Sequence, residues 1–176
     1  MVQKLAQLGP VMQLAYVPKD MAAAVRFWTE VMGAGPFFSL PHVAYRSAKY
    51  VGQASKVDFS VLLGYWGDMQ IELIEQHCDS PSIYRSWLDE GREGLHHVCL
   101  LVDDITKARA AAAAAGLTVA QEVFLEGGEA IYVDTGGGPG TMVEILEPMP
   151  GFDDLCAMMK SAHRGWDGQD PVRSLG

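Results

Sequence analysis

A chain of 176 residues with 13 basic and 22 acidic side chains has a net charge of −9, and 49% apolar with 20% charged content suits one globular domain, not a disordered chain. So few Lys and Arg argue against nucleic acid and against anionic membrane surfaces, because both are bound mainly by neutralising phosphate charge. No apolar run approaches the ~20 residues that span a bilayer. The first ten residues lack the apolar core of a signal peptide, and three cysteines (Cys78, Cys99, Cys156) without paired spacing support neither a disulfide framework nor a zinc ribbon. A cytoplasmic setting is expected.

In chain order, an apolar strand pattern starts at Val11 and gives way to Asp20, a residue suited to cap the Ala-rich helix predicted over 22–32, which stops near Gly33. Met21, Val25, Trp28 and Met32 recur at helical spacing and read as core packing. Strand-like runs follow at 42–51, 56–65 and 69–76. Residues 80–90 read as a linking helix with Pro81 near its first turn. A second strand pattern, L-H-H-V-C-L-L-V from Leu95, leads to Asp104, a helix over 105–115 and Gly116, then strands at 117–124, 129–134 and 141–147. The glycine-rich run 136–140 joins two strands instead of opening a helix, so it predicts a turn and not a phosphate loop. Past Pro150, the residues Phe152, Leu155 and Met159 predict an amphipathic helix, followed by a tail whose Trp166 favours docking on the domain.

The chain repeats itself. Gln13 stands seven residues before Asp20 and His97 seven before Asp104, an offset of 97 − 13 = 84. Q-I-E-L-I-E-Q around Glu72 matches V-E-I-L-E-P around Glu144, with an offset of 144 − 72 = 72. The first copy therefore carries 84 − 72 = 12 extra residues between its helix and its last strand. Matched anchors in the same order indicate a duplicated β-α-β-β-β module, an α+β fold in one domain. Its parts are a first module over 11–78, a link over 79–94, a second module over 95–150 and a C-terminal helix and tail over 151–176.

Strand alternation then sorts the polar residues. His97 shares a face with Leu95, Cys99 and Leu101, whereas His96 is expected on the opposite face with Val98 and Leu100. Glu72 and Glu144 each sit in mid-strand between apolar neighbours, where a buried carboxylate is costly unless paired, hydrogen-bonded or bound to metal. Taken singly, a solvated sheet face accounts for the glutamates, and hydrogen bonding in the core accounts for Gln13 and His97. Taken together, the repeat places an amide, an imidazole and two carboxylates at equivalent points of two modules. If the modules pair about a pseudo-twofold axis, all four converge as ligands for one divalent ion, Zn²⁺, Ni²⁺, Co²⁺, Mn²⁺ or Mg²⁺.

The β-α-β-β-β repeat, with G-L-H-H-V-C-L-L-V-D-D-I and V-E-I-L-E-P, resembles the vicinal oxygen chelate superfamily over about residues 11–148. That group includes glyoxalase I, methylmalonyl-CoA epimerase, extradiol dioxygenases and antibiotic-resistance proteins. The resemblance implies modules curled into a shared half-open barrel around a metal held by Gln13, Glu72, His97 and Glu144. This ligand set is similar to that of the eukaryotic type of glyoxalase I, while the wording around His97 is closer to the epimerases. The chain departs from both. It has Tyr132-Val133-Asp134 where epimerases carry an H-P-K-like stretch, and no clear arginine cluster for a glutathione carboxylate. Extradiol oxygenases use two histidines and one carboxylate around iron, and Gln13 stands in place of the first histidine, so oxygen activation is not expected.

The implied activity is a metal-dependent isomerase, epimerase or lyase that moves a proton next to a carbonyl, with Glu144 as general base and Glu72 as second candidate. The implied partners are a small carbonyl-containing substrate and a second copy of the chain. The alternative is a non-catalytic binding or sequestering protein of the resistance type. Tyr45, Tyr65 and Tyr132 are candidate hydrogen-bond donors in the cavity, and His42 and His77 are expected at the surface. Phe37, Phe38, Val43, Phe59 and Trp66 hint at a bulky, partly apolar substrate.

Overall fold

The computed structural model describes residues 4–138 and 140–175. Residues 1–3, Pro139 of the turn expected at 136–140 and Gly176 at the end of the tail lie outside the described residues. The first half begins with β1 (Val11–Val17) and α1 (Met21–Arg26), which runs on through one π turn, Phe27–Val31. Then come β2 (Phe37–Leu40), the short pair β3 (Ser47–Tyr50) and β4 (Gln53–Ser55), and the long hairpin β5 (Phe59–Trp66) and β6 (Met69–Gln76). A linking helix, α2 (Ile83–Asp89), is capped by the Ser82 hydroxyl, which accepts from the backbone of Tyr84 and Arg85. The second half is β7 (Gly94–Leu101), α3 (Ile105–Ala114), β8 (Thr118–Leu125), β9 (Gly128–Asp134) and β10 (Met142–Glu147). A final helix, α4 (Phe152–Arg164), leads to a three-residue strand, β11 (Val172–Ser174). Asp20 and Asp104 cap α1 and α3 as their types require, each carboxylate accepting from backbone N–H groups of the first turn.

The strands form one eleven-stranded mixed sheet in the order β11-β2-β5-β6-β1-β7-β10-β9-β8-β3-β4. Its centre carries the repeat. β1 runs parallel to β6 with Gln13 opposite Gln70 and Ala15 opposite Glu72, and β7 runs parallel to β10 with His97 opposite Met142 and Cys99 opposite Glu144. Where β1 meets β7, antiparallel, Gln13 faces Cys99, Leu14 faces Val98 and Ala15 faces His97. That cross-pairing is what a local twofold through Leu14 and Val98 requires. It makes Gln13 equivalent to His97 and Glu72 equivalent to Glu144, as the sequence offsets imply.

Two parts of the sequence reading need correction. Residues 42–51 do not form a single strand. The strand after α1 is β2, and the segment beyond it folds into the β3–β4 hairpin, turning at Val51-Gly52 with φ of 46° and 74°, the left-handed pair that suits a tight hairpin turn. That hairpin accounts for the dozen extra residues of the first copy, and it pairs across the molecule with β8 of the second half. The second correction concerns β7. Against β1, Tyr16 is paired with Leu95 and Ala15 with His97, so His96 is an extra residue without a cross-strand partner, a β-bulge. The alternation rule fails there, and His96 packs against the rings of Tyr84 and Trp87 in α2. Met12 is bulged out of β1 in the same way, immediately before Gln13.

Apolar residues cover both sides of the sheet. On the outer side, Ile71 and Leu73 pack on Trp28, while Ile131, Val133 and Ile145 pack on Ile105, Ala108 and Ala112 of α3. The intervening residues of the same strands, Gln70, Glu72, Tyr132 and Glu144, line an inner cavity against which α2 and α4 also pack. The tail is docked: β11 adds to the edge of β2, and the Trp166 ring lies against Gly35, where a Cβ would meet it at 3.1 Å. His163 of α4 ties the helix to the same region through the Gly35 carbonyl at 2.7 Å and the Gly67 N–H at 3.1 Å. No described helix is long and apolar enough to cross a membrane, and the three cysteines are free.

Candidate metal centre

Three side chains from both halves converge. Ligand atoms of Glu72 on β6, His97 on β7 and Glu144 on β10 lie within 4.8 Å of one another. His97 Nε2 is 3.1 Å from Glu144 Oε2 and 3.6 Å from Glu72 Oε2, and the exposures of the three side chains are 0% (His97), 9% (Glu144) and 14% (Glu72). This excludes a solvated face for the glutamates. Two carboxylates in one dry pocket disfavour each other's charge, and burial together with the neighbouring Glu144 raises the Glu72 carboxyl well above its ordinary range. A divalent cation among them would relieve that repulsion.

Gln13 reaches the same cavity. Its amide N–H donates to Gln70 Oε1 at 2.7 Å, and Gln70 in turn donates to the Tyr65 hydroxyl at 3.3 Å. This leaves Gln13 Oε1 buried with no hydrogen-bond partner among the described residues. An unpaired buried carbonyl oxygen costs about 1–3 kcal/mol, so its retention on a residue that lines one cavity with Glu72 and Glu144 fits a cation ligand. The donor set, three oxygens and one nitrogen, suits any of the divalent ions named from the sequence.

The remaining polar groups hold these donors. Tyr132 donates to Glu144 Oε1 at 2.9 Å, and Tyr84 donates to the Tyr132 hydroxyl at 3.3 Å. Burial, then the charge of the nearby carboxylates, raises both phenols well above their ordinary range, so both remain protonated donors. Burial, then the neighbouring His97, lowers His96 to about 3, so its imidazole is neutral. Of the three candidate tyrosines, only Tyr132 touches a predicted ligand. Tyr45 donates to the Val57 carbonyl, and Tyr65 receives Gln70. His42 and His77 are at the surface, hydrogen-bonded to Asp58 and Ser60.

The cavity above the donors has a volume of about 110 Å³ and is otherwise apolar, with Val43, Phe59, Val61, Leu63, Val123 and Leu125 among its lining residues. No Lys or Arg is among the described lining residues. Val43 and Phe59 are therefore placed as the sequence suggested, while Phe37 and Phe38 are core residues and Trp66 is half exposed on the outside. Gln70 and Tyr84 were missed, and His96 was expected on the face opposite His97. Gln70 lies two residues before Glu72, so strand alternation could have found it; Tyr84 lies on another element, and no sequence pattern marked the bulge that turns His96.

The glyoxalase/bleomycin resistance protein/dioxygenase superfamily pattern matches residues 12–135, and the chain belongs to that superfamily. Membership and the buried donor cluster together make it a metal-dependent enzyme of the superfamily, with the reaction left open. Among solved structures, the fold is similar to a hypothetical protein from Bacillus halodurans C-125 (15% identity, TM-score 0.55, covering 79% of this chain and 94% of that one). It is also similar to a Streptomyces coelicolor methylmalonyl-CoA epimerase variant in complex with 2-nitronate-propionyl-CoA (18% identity, TM-score 0.51, covering 81% and 96%). The methylmalonyl-CoA epimerase of Mycobacterium tuberculosis is a third (14% identity, TM-score 0.51, covering 82% and 91%). At these identities the likeness is one of fold. No curated protein matches the chain at a significant level.

Proposed function

We propose that this protein is an isomerase, epimerase or lyase that moves a proton at a carbon next to a carbonyl, on a small substrate with an uncharged, apolar substituent. The observation that carries the reading is the meeting of Glu72, His97 and Glu144, two carboxylates and an imidazole from opposite halves, at the polar end of an apolar cavity. Gln13, Glu72, His97 and Glu144 would hold one divalent ion, which when bound supplies positive charge to neighbouring substrate oxygens and to the enolate or enediolate that forms.

The chain's own part is to place a base and exclude water. Glu144 is the proposed base: Tyr132 holds its Oε1, and Oε2, which faces His97 Nε2 at 3.1 Å in the metal-free protein, is the oxygen that would accept the substrate proton once a metal takes His97. The substrate C–H bond breaks, its electron pair moves into the carbonyl to give the enolate, and the proton sits on Glu144 until it returns to the same or the adjacent carbon. The apolar walls keep bulk water from quenching that intermediate. Val43, Phe59 and Val61 offer contact to an alkyl or aryl group, whereas a carboxylate or phosphate tail would meet no described cation there.

Protein stripped by chelator should melt higher when Zn²⁺, Ni²⁺, Co²⁺ or Mn²⁺ is added, by about 2.7 kcal/mol of stability at a hundredfold excess over Kd. The loaded protein should exchange the α-proton of small 2-substituted or 2-hydroxy carbonyl compounds for deuterium in D₂O, followed by NMR. Absence of any metal response removes the reading. A compound that binds tightly without exchange makes the protein a sequestering one, and oxygen-dependent consumption makes it a dioxygenase.

A further inference from the structure

The imidazole has two ring nitrogens, and a metal ligand must present the one that carries no proton. Which one that is depends on what the other nitrogen touches. His97 points Nε2 at Glu72 and Glu144 and places Nδ1 2.9 Å from Nδ1 of His96. Two facing nitrogens form a hydrogen bond only if one carries the proton and the other does not. The far side of His96 settles which: its Nε2 lies 3.3 Å from the Ile83 carbonyl oxygen in the first turn of α2, and a carbonyl can only accept. His96 Nε2 therefore carries the proton, His96 Nδ1 has the lone pair, and His97 Nδ1–H donates to it. His97 Nε2 is the nitrogen turned to the cluster: in the metal-free protein it lies 3.1 Å from Glu144 Oε2, a hydrogen-bond contact whose proton a bound metal would replace.

From this relay we infer that His96 is a positioning residue: together with the Ile83 carbonyl it fixes the tautomer and ring plane of His97 for metal binding. The inference rests on the metal reading given above. Three features build the device. The bulge in β7 turns His96 back toward His97 instead of to the opposite face. Tyr84 and Trp87 clamp its ring, with centroids at 5.6 and 5.0 Å. Both histidines are fully buried, so water does not compete for the Nδ1–Nδ1 bond. Replacing such a neighbour of a metal-binding histidine typically weakens affinity by about 10- to 100-fold.

The test has two readouts. Long-range ¹⁵N–¹H correlation spectra of the wild-type protein should show His97 Nδ1 protonated and His96 Nδ1 unprotonated, in the metal-free and the Zn²⁺-loaded protein alike. The opposite assignment overturns the proposal. Co²⁺ and Zn²⁺ titrations by competition should show a loss of about 10- to 100-fold in His96→Leu, with most of the affinity regained in His96→Gln, whose side-chain carbonyl can still accept. Equal affinity in His96→Leu and wild type also overturns it. Should His96→Leu fail to fold, the wild-type spectra decide alone. If wild type binds no divalent ion, the reading under Proposed function fails, and the spectra still support or overturn the relay.

Discussion

The two halves solve one problem with interchanged parts. Each presents to the cluster a ligand with two unlike ends: the Gln13 amide can offer oxygen or nitrogen, and the His97 imidazole can offer either ring nitrogen. Each end must be chosen by a neighbour. In the first half the neighbour is Gln70, directly across from Gln13 on β6, and the bulged residue before the ligand is Met12. In the second half the bulged residue, His96, does the orienting, and Met142 stands in the place of Gln70. A methionine and a polar orienter thus exchange places between copies. The duplication fixes where the ligand sits; it does not fix which neighbour aims it.

The comparison can be broken at its chemical end first. Glu72 and Glu144 are equivalent by register, yet only Glu144 receives a hydrogen bond from Tyr132. Glu144→Gln should therefore lower α-proton exchange by about 10²–10⁴-fold while the fold persists, and Glu72→Gln should weaken metal binding more than exchange. Equal exchange in Glu144→Gln and wild type would pass the role of base to Glu72. The next largest effect belongs to the orienters. Gln70→Met, which gives the first half the second half's residue, should weaken Co²⁺ or Zn²⁺ binding by about 10-fold or more. It should have no further effect in a Gln13→Ala background. The reciprocal Met142→Gln should change affinity less than about twofold, because His97 is already aimed; a large effect there would mean that orienters belong to the strand position and not to the ligand.

The smallest effect is on stability. Glu72 has a carboxyl pKa raised in the folded, metal-free protein, so over the interval above the ordinary carboxylate range the native state holds a proton that the unfolded chain has released. The unfolded state then binds fewer protons, and stability falls as pH rises through that interval. Metal-free Glu72→Gln should melt above wild type at pH 8, by a margin that shrinks as pH approaches 4. Saturating Zn²⁺ should reverse the order, since only the wild type keeps all four donors.

How much of this is legible in the sequence depends on the length scale of the signal. Offsets of 84 and 72 locate Gln13, His97, Glu72 and Glu144 because repeat register survives in linear order, and alternation places both glutamates on one face. The same rule fails at His96, where a single bulged residue shifts the facing of everything beside it. It also fails over 42–51, where Tyr45 and Tyr50 imitate one strand although the chain reverses at Val51-Gly52. Tyr84 escapes for another reason: it arrives from α2, and no local pattern records which element will pack beneath a cavity.

The β3–β4 hairpin has a consequence for assembly. Its partners on β8 are 71 to 77 residues downstream, Tyr50 against Gln121 and Ser47 against Phe124. A growing chain releases the hairpin from the ribosome long before β8 exists, and until then the edge of β3 opposite β4 is open to any passing neighbour. The first half thus cannot complete its own hydrogen bonding alone. A chain truncated before residue 121 therefore carries an adhesive edge into whatever solution receives it.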